Sequence, residues 1–570
     1  MVLLEWCALD YGILNGVSGR CYSGQLHALM GPSGSGKTTM LESIYRCSEF
    51  GQHVTLNDKP LTKKDVSYVF QQEQFIETLT VYETLEFTCR LRKRPKEDML
   101  SIISKVRFES LLDQRVSALS GGEKKRLEIA VELANMSPVF LLDEPTTSLD
   151  SHLASSIVEV LHDIKDTMCI ICTIHQPSLE VFMGFDAVTF LHNGSVCYSG
   201  NPSSIVDYCV SKGLKCPMYT NPAEFFIQSI SQGSLSGDYQ HTGSHDVSFT
   251  LGSLEGACTV ESSKVGLAYE YFLLLKRSYR DAYRQPIVTQ SRVFQSIIFG
   301  MIVGTLFFNL GTSQTDIQNK NGCIFFILVN QMMSVFFSVV QTFPLQLKTF
   351  KQEHDKRLYR IGPYYWAKTT ADIPVQLFVI CTFSAIVLPM TSVCPSPQRA
   401  LMFLGYLLLT STVFSSFGYF VSTLANDPVV VLILGNILIL PAMLVGGFFI
   451  NNNSVPNYYV VLETLSTFNY AFQALVRCVY HDTDVMCTEE ETRLDLCAYD
   501  TGDDIMVYLG AEMGYADYVY ILLAQSIILR TFGHIVLYSR FKAIPFCKNY
   551  AGVLLRIING AIAFKTYILR

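Results

Sequence analysis

The sequence predicts two domains of different class: an α/β P-loop NTPase nucleotide-binding domain, followed by an all-α six-helix transmembrane domain. A complete phosphate-binding loop follows an apolar, strand-like run near the start of the chain, and further strand-like runs that end in polar side chains come after it. Hydrophobic residues make up 49% of the 570 residues and charged residues only 16%, which is too apolar for an ordinary soluble protein. The apolar residues are concentrated in the second half, which predicts membrane spans there.

Size and charge limit the classes of protein to consider. A chain of 570 residues is long enough for two or three domains. The net charge of −7, without a basic arm, disfavours nucleic acid as a partner. The 17 cysteines are scattered along the chain, which disfavours metal ribbons and predicts mostly reduced thiols. The first residues form a strand-like pattern rather than a signal peptide, so we expect the amino end to lie in the cytosol.

The first motif is the glycine-rich run GPSGSGKT at residues 31–38. It follows the apolar run Leu26–Met30 and precedes a helix-like segment, which is the strand–loop–helix order of a phosphate-binding P-loop. Glycines let backbone N–H groups curl around a triphosphate, while Lys37 is placed for the β- and γ-phosphates and the Thr38 hydroxyl for Mg²⁺. The residues predicted to bind the nucleotide here are Gly31, Pro32, Ser33, Gly34, Ser35, Gly36, Lys37, Thr38 and Thr39. By itself, the loop leaves kinases, GTPases, motors and transporters open.

Polar side chains follow three further buried-strand patterns. The run Val139–Leu142 ends in Asp143, which suits Mg²⁺ binding through water, and Glu144, which suits a general base for the attacking water. Gln71 ends an earlier run and can reach Mg²⁺ or the attacking water, with surface polarity as the alternative. His175 follows a third run; a lone histidine after a strand is usually structural, but its order after the two carboxylates favours a contact with the γ-phosphate.

A second glycine-rich stretch, LSGGE at residues 119–123, opens a helix-like segment and predicts a second anion-binding helix start. The candidate ligands in and after this stretch are Ser120, Gly121, Gly122 and Asp150. Near the start of the chain, Trp6 and Tyr11 are candidates to stack on an adenine ring, and a place in the core is an equal alternative for either.

Taken in order, these motifs resemble those of one family. Residues 12–200 are similar to the nucleotide-binding domain of an ATP-binding cassette (ABC) protein, and the LSGGE signature separates this family from other P-loop enzymes. The resemblance implies ATP and Mg²⁺ as cofactors, and a head-to-tail pair of such domains in which ATP lies between one P-loop and the signature of the other. This chain contains no second P-loop, so the resemblance requires a second subunit, which is either a copy of this chain or a different half-transporter.

The end of the cassette carries a further resemblance. Residues 221–225, Asn-Pro-Ala-Glu-Phe, resemble a motif that follows the cassette in the G subfamily of ABC proteins, the branch of the white-pigment transporters and sterol exporters. We therefore place the cassette at residues 1–230. The Ser- and Gly-rich residues 231–265 predict a flexible linker. The amphipathic, basic residues 266–292 predict a connecting helix along the cytoplasmic membrane face.

The predicted transmembrane domain, residues 293–542, contains six segments that are long and apolar enough to cross a bilayer of roughly 30 Å. They are 293–310, 322–344, 373–391, 400–425, 428–450 and 518–538. Lys and Arg residues cluster in 345–372, and by the positive-inside rule this places both chain ends in the cytoplasm. The loop 451–517 is then external and the tail 543–570 cytosolic. We expect an integral multi-pass membrane protein, with the plasma membrane as the favoured location.

Cassette first and membrane domain second is also the order of the G subfamily, and this resemblance implies roles for residues of the second half. Asn330 and Met333 resemble positions that line a central cavity between two subunits. Phe448 and Phe449 lie where the family has an apolar plug below the external exit. Phe350–Glu353 resembles the stretch through which the cassette moves the spans. Helix packing is the alternative for each aromatic residue.

Three cysteines lie in the loop after the fifth predicted span. Cys487 and Cys497 lie ten residues apart in the loop predicted to be external, where an oxidising medium makes a disulfide between them reasonable. Cys478 is left over, and it is either buried or links two subunits. Asn452 begins a glycosylation sequon close to the fifth span.

The resemblance implies a half-transporter that dimerises and exports a lipid-like or amphipathic molecule across a membrane, with alternating access powered by ATP hydrolysis. Its expected partners are a second half-transporter subunit, membrane lipids and the lipid-like substrate, without nucleic acid. A sterol is favoured because Leu214–Tyr219 resembles the sterol-exporting members. The alternatives are a pigment-precursor or multidrug transporter of the same fold, and a regulatory ATPase that transports nothing.

Overall fold

The computed structural model describes residues 2–50, 53–71, 74–147, 149–232, 265–394, 396–450, 456–486 and 498–542. The contacts of the chain divide it into two compact units. The first unit comprises Met1–Gly266 with Gln352–Tyr359, and the second comprises Leu267–Lys351 with Arg360–Arg570. Residues 233–264 of the predicted linker and the whole predicted tail lie outside the described residues.

The described part of the first unit contains two β-sheets. Their strands are β1 (Leu3–Leu9), β2 (Val17–Tyr22), β3 (Leu26–Met30), β4 (His53–Leu56), β5 (Lys59–Pro60), β6 (Val66–Val69), β7 (Val139–Leu142), β8 (Cys169–Thr173), β9 (Ala187–His192) and β10 (Ser195–Gly200). The larger sheet has the order β10-β9-β3-β8-β7-β6, and only β10 pairs antiparallel in it. The smaller, antiparallel sheet has the order β2-β1-β4-β5.

The parallel strands bring the predicted motifs to one edge of the larger sheet. Strands β3, β6, β7 and β8 are buried along their whole length, as expected for parallel strands that are covered on both faces. The P-loop, Gln71, Asp143 and His175 each follow within two residues of one of these strand ends. Because the carboxyl ends of parallel strands meet at the same edge, the four motifs converge there.

Helices surround this sheet in the first unit. They are α1 (Lys37–Tyr45), α2 (Cys47–Phe50), α3 (Val81–Leu91), α4 (Lys96–Lys105), α5 (Gly121–Leu133), α6 (Ser151–Ile164), α7 (Leu179–Met183), α8 (Ile205–Ser211) and α9 (Pro222–Ser231). Thr80 and Ser120 begin α3 and α5, and each forms a capping box with the glutamate three residues later. A side-chain cap of this kind is worth about 1 kcal/mol. The signature motif is therefore also the local signal that starts a helix.

Successive residues of β3 face different halves of the core. Ala28 and Met30 belong to one hydrophobic cluster, and Leu29 belongs to another. This alternation shows that apolar side chains cover the larger sheet on both faces.

The segment Gln352–Tyr359 packs within the first unit although it lies far along the chain. Lys356 Nζ lies 2.7 Å from Glu132 Oε1, and the two side chains are only 3% and 4% exposed. Arg92 donates a hydrogen bond of 3.0 Å to the carbonyl of Lys356. Burial lowers the pKa of Lys356 and raises the pKa of Glu132, so the ion pair offsets a desolvation cost on both groups.

The described part of the second unit is helical. Its helices are α10 (Leu267–Arg284), α11 (Pro286–Leu306), α12 (Gln314–Asp355), α13 (Ile361–Ala371), α14 (Ile373–Thr391), α15 (Pro397–Ser422), α16 (Pro428–Leu444), α17 (Val460–Leu465), α18 (Thr467–Tyr480), α19 (Gly502–Tyr508) and α20 (Tyr515–Lys542). The last four residues of α12 belong to the first unit.

Several of these helices suit a membrane. Among the described residues, four are long and apolar enough to cross one, or five if the bent pair Leu267–Arg284 and Thr289–Leu306 counts as one span. Pro428–Leu444 is a shorter apolar helix. Each of the six predicted segments overlaps a helix, but the fifth helix stops at Leu444, short of residue 450. The backbone turns at Gly447, whose φ of 81° lies in the left-handed region.

Small residues allow close packing inside the second unit. A Cβ atom at Gly435 in α16 would lie 2.1 Å from the Phe336 ring of α12, and one at Gly418 in α15 would lie 3.5 Å from the same ring. Glycines at such contacts are typical of membrane helix packing. Arg530, the arginine of the last predicted span, donates a hydrogen bond of 2.9 Å to Ser416 of α15, so its charged group faces the helix bundle.

Candidate nucleotide-binding site

The P-loop has a backbone that requires glycine. Gly31 has a φ of 146°, and a Cβ atom there would lie 2.2 Å from the carbonyl oxygen of Leu191. Gly36 has a φ of 107° and is the N-cap of α1. Both values lie in a region that other residues rarely adopt. The loop therefore leads directly into a helix start, where free N–H groups and the helix dipole favour a phosphate.

Lys37 points back along the loop that it follows. Its side chain is buried, and Nζ donates hydrogen bonds to the carbonyl oxygens of Gly31 (2.9 Å) and Pro32 (3.0 Å). Burial lowers the pKa of Lys37, while the nearby carboxylates of Glu144 and Asp143 raise it. The ammonium group thus lies at the centre of the glycine-rich loop, which is the position from which a P-loop lysine reaches phosphates.

Asp143 is buried and surrounded by hydroxyl groups. Its Oδ1 accepts hydrogen bonds from Thr38 (3.2 Å) and Thr173 (2.8 Å), and its Oδ2 accepts one from Tyr68 (3.5 Å). Burial raises the pKa of Asp143, and the hydrogen bonds from these hydroxyls lower it. A carboxylate beside the Thr38 hydroxyl is an all-oxygen donor set of the kind that Mg²⁺ prefers, so these residues fit that ion.

Glu144 lies next to the predicted glutamine. Gln71 Nε2 donates a hydrogen bond of 2.8 Å to Glu144 Oε2, and Thr147 Oγ1 donates one of 2.9 Å to the same oxygen. The φ of Glu144 is 49°, in the left-handed region. A non-glycine residue in this region stores strain of order 1–3 kcal/mol, which surrounding contacts must hold.

His175 contacts the P-loop directly. Its ring is exposed, and Nε2 lies 3.3 Å from Ser33 Oγ. Lys37, Asp143, Glu144 and His175 thus belong to one contiguous group at the carboxyl edge of the sheet. Sequence reasoning placed these residues on separate strand ends, and the sheet order brings them together.

The signature residues lie at the start of α5, against the region of Asp150. Ser120 Oγ accepts the N–H of Glu123 (3.4 Å). The backbone N–H and the hydroxyl of Ser120 both donate to the Glu123 carboxylate (2.8 Å each), which lowers the pKa of Glu123. A Cβ atom at Gly121 would lie 3.7 Å from Leu149, and one at Gly122 would lie 3.2 Å from Leu153. Asp150 accepts the Leu153 N–H (2.8 Å) and caps α6. The signature and the region of Asp150 therefore form one continuous surface.

The two candidate adenine aromatics differ. Trp6 is 2% exposed and packs over Gly19, so it belongs to the core. Tyr11 is 37% exposed and stacks on Phe50, with ring centroids 4.0 Å apart. A Cβ atom at the adjacent Gly12 would lie 3.3 Å from Thr39, so Tyr11 lies beside the first turn of α1.

Sequence reasoning missed three hydroxyl groups of this site: those of Tyr68, Thr147 and Thr173. Tyr68 and Thr173 lie in strands that pair with β7 on either side. Their nearness to Asp143 follows from the strand order. Thr147 lies three residues after Glu144, and this spacing is the only local signal in the sequence.

The predicted residues of the second unit lie in two places. Asn330 and Met333 are half-buried on α12. Phe448 stacks on Phe325 with ring centroids 4.2 Å apart, whereas Phe449 is 52% exposed. Cys478 is buried in α18, which agrees with the first of its two alternatives. The remaining predicted positions, Cys487, Cys497 and Asn452, lie outside the described residues.

Comparison with known proteins adds to this geometry. The family described as ABC transporter matches residues 14–147, and the family described as ABC-2 type transporter matches residues 269–480. Protein white of Drosophila melanogaster is 31% identical, over 84% of this chain and 77% of its own length. ABC transporter G family member 7 of Arabidopsis thaliana is 30% identical, over 81% of this chain and 70% of its own. ABC transporter G family member 8 of Dictyostelium discoideum is 30% identical, over 88% of this chain and 83% of its own.

These likenesses extend through both the cassette and the helical membrane region. Since these relatives are about 30% identical to it over more than four-fifths of its length, the chain belongs to the G family of ABC transporters, in which an ATP-hydrolysing cassette is coupled to transport across a membrane.

Proposed function

We propose that this half-transporter works as a dimer and exports a lipid-like or amphipathic molecule, with a sterol as the favoured substrate. The observation that carries the proposal is the open face of α12. Phe326 is exposed and Asn330, Met333 and Phe337 are half-buried within one chain. These positions recur every three or four residues, so they share one side of the helix. That side carries aromatic, thioether and amide groups without charge, which suits a flat apolar molecule with a small polar group.

The residues at the sheet edge suggest how ATP is hydrolysed. The helix start after Gly36 and the ammonium of Lys37 bind the phosphates. Thr38, Gln71 and, through water, Asp143 would hold Mg²⁺, which would supply charge neutralisation at the phosphates. Glu144 takes the proton of the attacking water as general base, and Gln71, which donates to its carboxylate, orients it.

His175 completes the same site. It lies two residues after the end of β8, and its Nε2 is 3.3 Å from Ser33 Oγ of the P-loop. From there the ring is placed to donate a hydrogen bond to a γ-phosphate bound over the loop. A nucleotide bound there contacts both the loop that carries Ser33 and the ring of His175. Hydrolysis of that nucleotide therefore affects the position of the loop relative to His175.

A second subunit completes the arrangement. Ser120 and Gly121 are exposed at the start of α5 and belong to the surface shared with Asp150. In the head-to-tail pair that we propose, this surface covers the nucleotide on the P-loop of the other subunit. Because this chain carries a complete set of motifs, a homodimer has two working sites.

The segment Gln352–Tyr359 supports a coupling role for the stretch that begins at Phe350. Within the first unit, the side chain of Gln352 accepts the N–H of Gln74 (2.8 Å), close after Gln71. Tyr45 donates to the carbonyl of Asp355 (3.1 Å). A segment held this closely beside Gln71 can respond to hydrolysis, and alternating access follows if the response tips the helices that continue from it.

Transport by the purified chain alone tests the proposal. Vesicles with the chain reconstituted inside-out are given ATP with labelled cholesterol, a dye panel and labelled pigment precursors, beside a Lys37→Ala control. ATP-dependent sterol uptake, lost in the control, is the expected result. If dyes or pigment precursors are taken up and sterol is not, sterol is wrong as the substrate and the molecule taken up replaces it. Export of preloaded substrate reverses the direction, and ATPase without any flux supports the regulatory alternative. Expression at the cell surface tests the plasma-membrane location.

Mixed dimers test the pairing. Ser120→Arg abolishes hydrolysis in a homodimer, although Ser120 lies outside its own P-loop. In a mixed dimer with Lys37→Ala chains, both lesions meet in one composite site and leave the other intact. About half of the wild-type ATPase rate is expected if the two sites act independently. Zero activity means that both sites must work, and failure of the chain to self-associate points to a different half-transporter as partner.

A further inference from the structure

Thr173 occupies a place at the hydrolytic centre that the motifs do not account for. It is the last residue of β8, its side chain is fully buried, and its strand lies beside β7 in the larger sheet. The register pairs Leu142 of β7 with Cys172 of β8. Thr173 therefore lies next to the point where β7 ends and the carboxylate pair begins.

One hydroxyl group joins both acidic residues. Thr173 Oγ1 donates a hydrogen bond of 2.8 Å to Asp143 Oδ1 and accepts the backbone N–H of Glu144 at 2.7 Å. An amide N–H can only donate, so the hydroxyl proton is free to point at the carboxylate. The Thr173 hydroxyl thus acts as a donor to Asp143 and as an acceptor from Glu144.

The contact with Thr173 matters because of the backbone conformation of Glu144. Its φ of 49° is a left-handed conformation that a glutamate does not prefer. The hydrogen bond from its N–H to Thr173 holds that conformation from outside the turn. The side chain is then directed to Gln71 and Thr147, which both donate to Oε2.

We propose that Thr173 is a positioning residue for hydrolysis, which fixes the carboxylate of Asp143 and the left-handed backbone of Glu144 through a single hydroxyl group. This rests on the roles proposed above for Asp143 and Glu144. A valine has nearly the same shape without the hydroxyl, so Thr173→Val removes both hydrogen bonds while filling the same space.

Hydrogen exchange at the Glu144 amide tests the contact without catalysis. In full-length protein without Mg²⁺ or nucleotide, peptides covering residues 139–147 report that amide. Thr173→Val raises the exchange rate there by about tenfold or more, because the Glu144 N–H loses its acceptor. Thr173→Ser keeps the hydroxyl and keeps wild-type exchange. The test does not depend on substrate or on the role of Glu144, so it separates this inference from the proposed function.

Kinetics then test the consequence. Thr173→Val lowers kcat for ATP hydrolysis about tenfold and raises the Mg²⁺ concentration for half-maximal rate, while nucleotide affinity without Mg²⁺ changes less than about twofold. Thr173→Ser restores kcat. Thr189→Val is the matched control, because Thr189 is also buried in a strand of this sheet but bonds to His27 (2.8 Å) and Ser199 (3.0 Å). It leaves both the exchange rate and kcat unchanged.

Two results overturn the proposal. Wild-type exchange and wild-type kcat in Thr173→Val show that the hydroxyl positions nothing. Loss of activity in Thr173→Ser equal to that in Thr173→Val shows that the methyl group, and hence packing, is what matters. If Thr173→Val does not fold, Thr173→Cys takes its place, because the thiol is of similar size and a weak hydrogen-bonding group. Wild-type exchange and kcat in Thr173→Cys overturn the proposal in the same way.

Discussion

The cassette and the membrane region of this chain differ in how closely chemistry ties residue to position. In the cassette, each motif residue meets a specific demand, as with Gly31, where a Cβ atom would lie 2.2 Å from a carbonyl oxygen. In the membrane region, Phe336 packs between glycines of two helices, and many apolar pairs satisfy the same packing. Sequence therefore constrains the site for ATP far more narrowly than the site for the transported molecule.

The comparison also shows where the two regions share a rule. A charged side chain of each region has hydroxyl partners: the buried Asp143 accepts from three hydroxyls in the cassette, and the half-buried Arg530 donates to Ser416 in the helices. Burying such groups without partners is costly. The two regions differ in what their ligands require, because a triphosphate carries several fixed charges, whereas the proposed amphipathic substrate carries few.

The first prediction, with the largest expected effect, removes the proposed proton acceptor of the cassette. Glu144→Gln keeps the hydrogen-bonding shape next to Gln71 but cannot take a proton. Hydrolysis falls by at least ~10²-fold, the contribution typical of a general base, while ATP binding remains and a closed dimer accumulates. ATPase rate, nucleotide binding and crosslinking on one preparation measure this. Near-normal turnover would remove Glu144 from the mechanism.

A second prediction concerns the segment Gln352–Tyr359, which includes the end of α12 and packs in the first unit. Lys356→Met leaves Glu132 buried beside Arg92 without its ion-pair partner, which costs up to ~3 kcal/mol of stability. The double variant Lys356→Met/Glu132→Gln removes the charge as well and recovers most of the loss. Arg357→Met, at an exposed position of the same segment, is the control and leaves the stability unchanged.

Thermal unfolding together with ATPase and transport rates measures this second prediction. We expect the single variant to unfold at a lower temperature and to lose transport more than ATPase activity, because the segment is loosened while the sheet edge is intact. A single variant as stable as the wild type, or a double variant no better than the single one, contradicts the importance of the pair.

The site residues that the sequence predicts are identified by their neighbours in the chain. Those that it misses are identified only by contacts between residues that are distant in the chain. The P-loop, the signature and the carboxylate pair are contiguous runs, so local spacing alone identifies them. Thr173 and the Lys356–Glu132 pair depend on strand order and on contacts between distant parts of the chain, which no local pattern contains. The helix that ends at Leu444 shows the same limit, since hydropathy continues to residue 450 while the backbone turns at Gly447.

The third prediction concerns two neighbouring rings in the membrane region that differ in their surroundings. Phe448 packs on Phe325 and Phe472, with ring centroids 4.2 Å and 5.8 Å apart, so Phe448→Ala lowers stability. Phe449 contacts the same Phe325 ring edge-on, with centroids 5.1 Å apart, but it is 52% exposed, which leaves surface for a second subunit at the proposed exit. Phe449→Ala raises basal ATPase about threefold and reduces transport, as expected when an aromatic pair worth about 0.5–1.5 kcal/mol is lost.

Measuring ATPase and transport on one reconstituted sample decides between a plug and ordinary packing. If Phe449 faces lipid, the variant keeps the wild-type ratio of transport to hydrolysis, and the plug is wrong. Leu440→Ala is the control, because Leu440 is similarly exposed on α16 but lies more than two turns before the pair. It leaves the ratio unchanged.

The last prediction concerns a histidine that belongs to no motif, and its replacement is expected to have the smallest effect on activity. His27 lies inside β3, buried, with Nε2 2.8 Å from Thr189 Oγ1, whereas His175 follows a strand and is exposed. Burial lowers the pKa of His27 to about 4, from an ordinary value near 6.5. The unfolded chain therefore takes up a proton at higher pH than the folded cassette does. Stability that is present above about pH 6.5 is lost as the pH falls toward 4, by about 2 kcal/mol at pH 5.

His27→Gln keeps a polar group beside Thr189 and cannot titrate. Its melting temperature falls less than that of the wild type between pH 7.5 and pH 5, while ATPase at pH 7.5 is unchanged. An equal fall in both proteins would mean that the acid sensitivity comes from other groups.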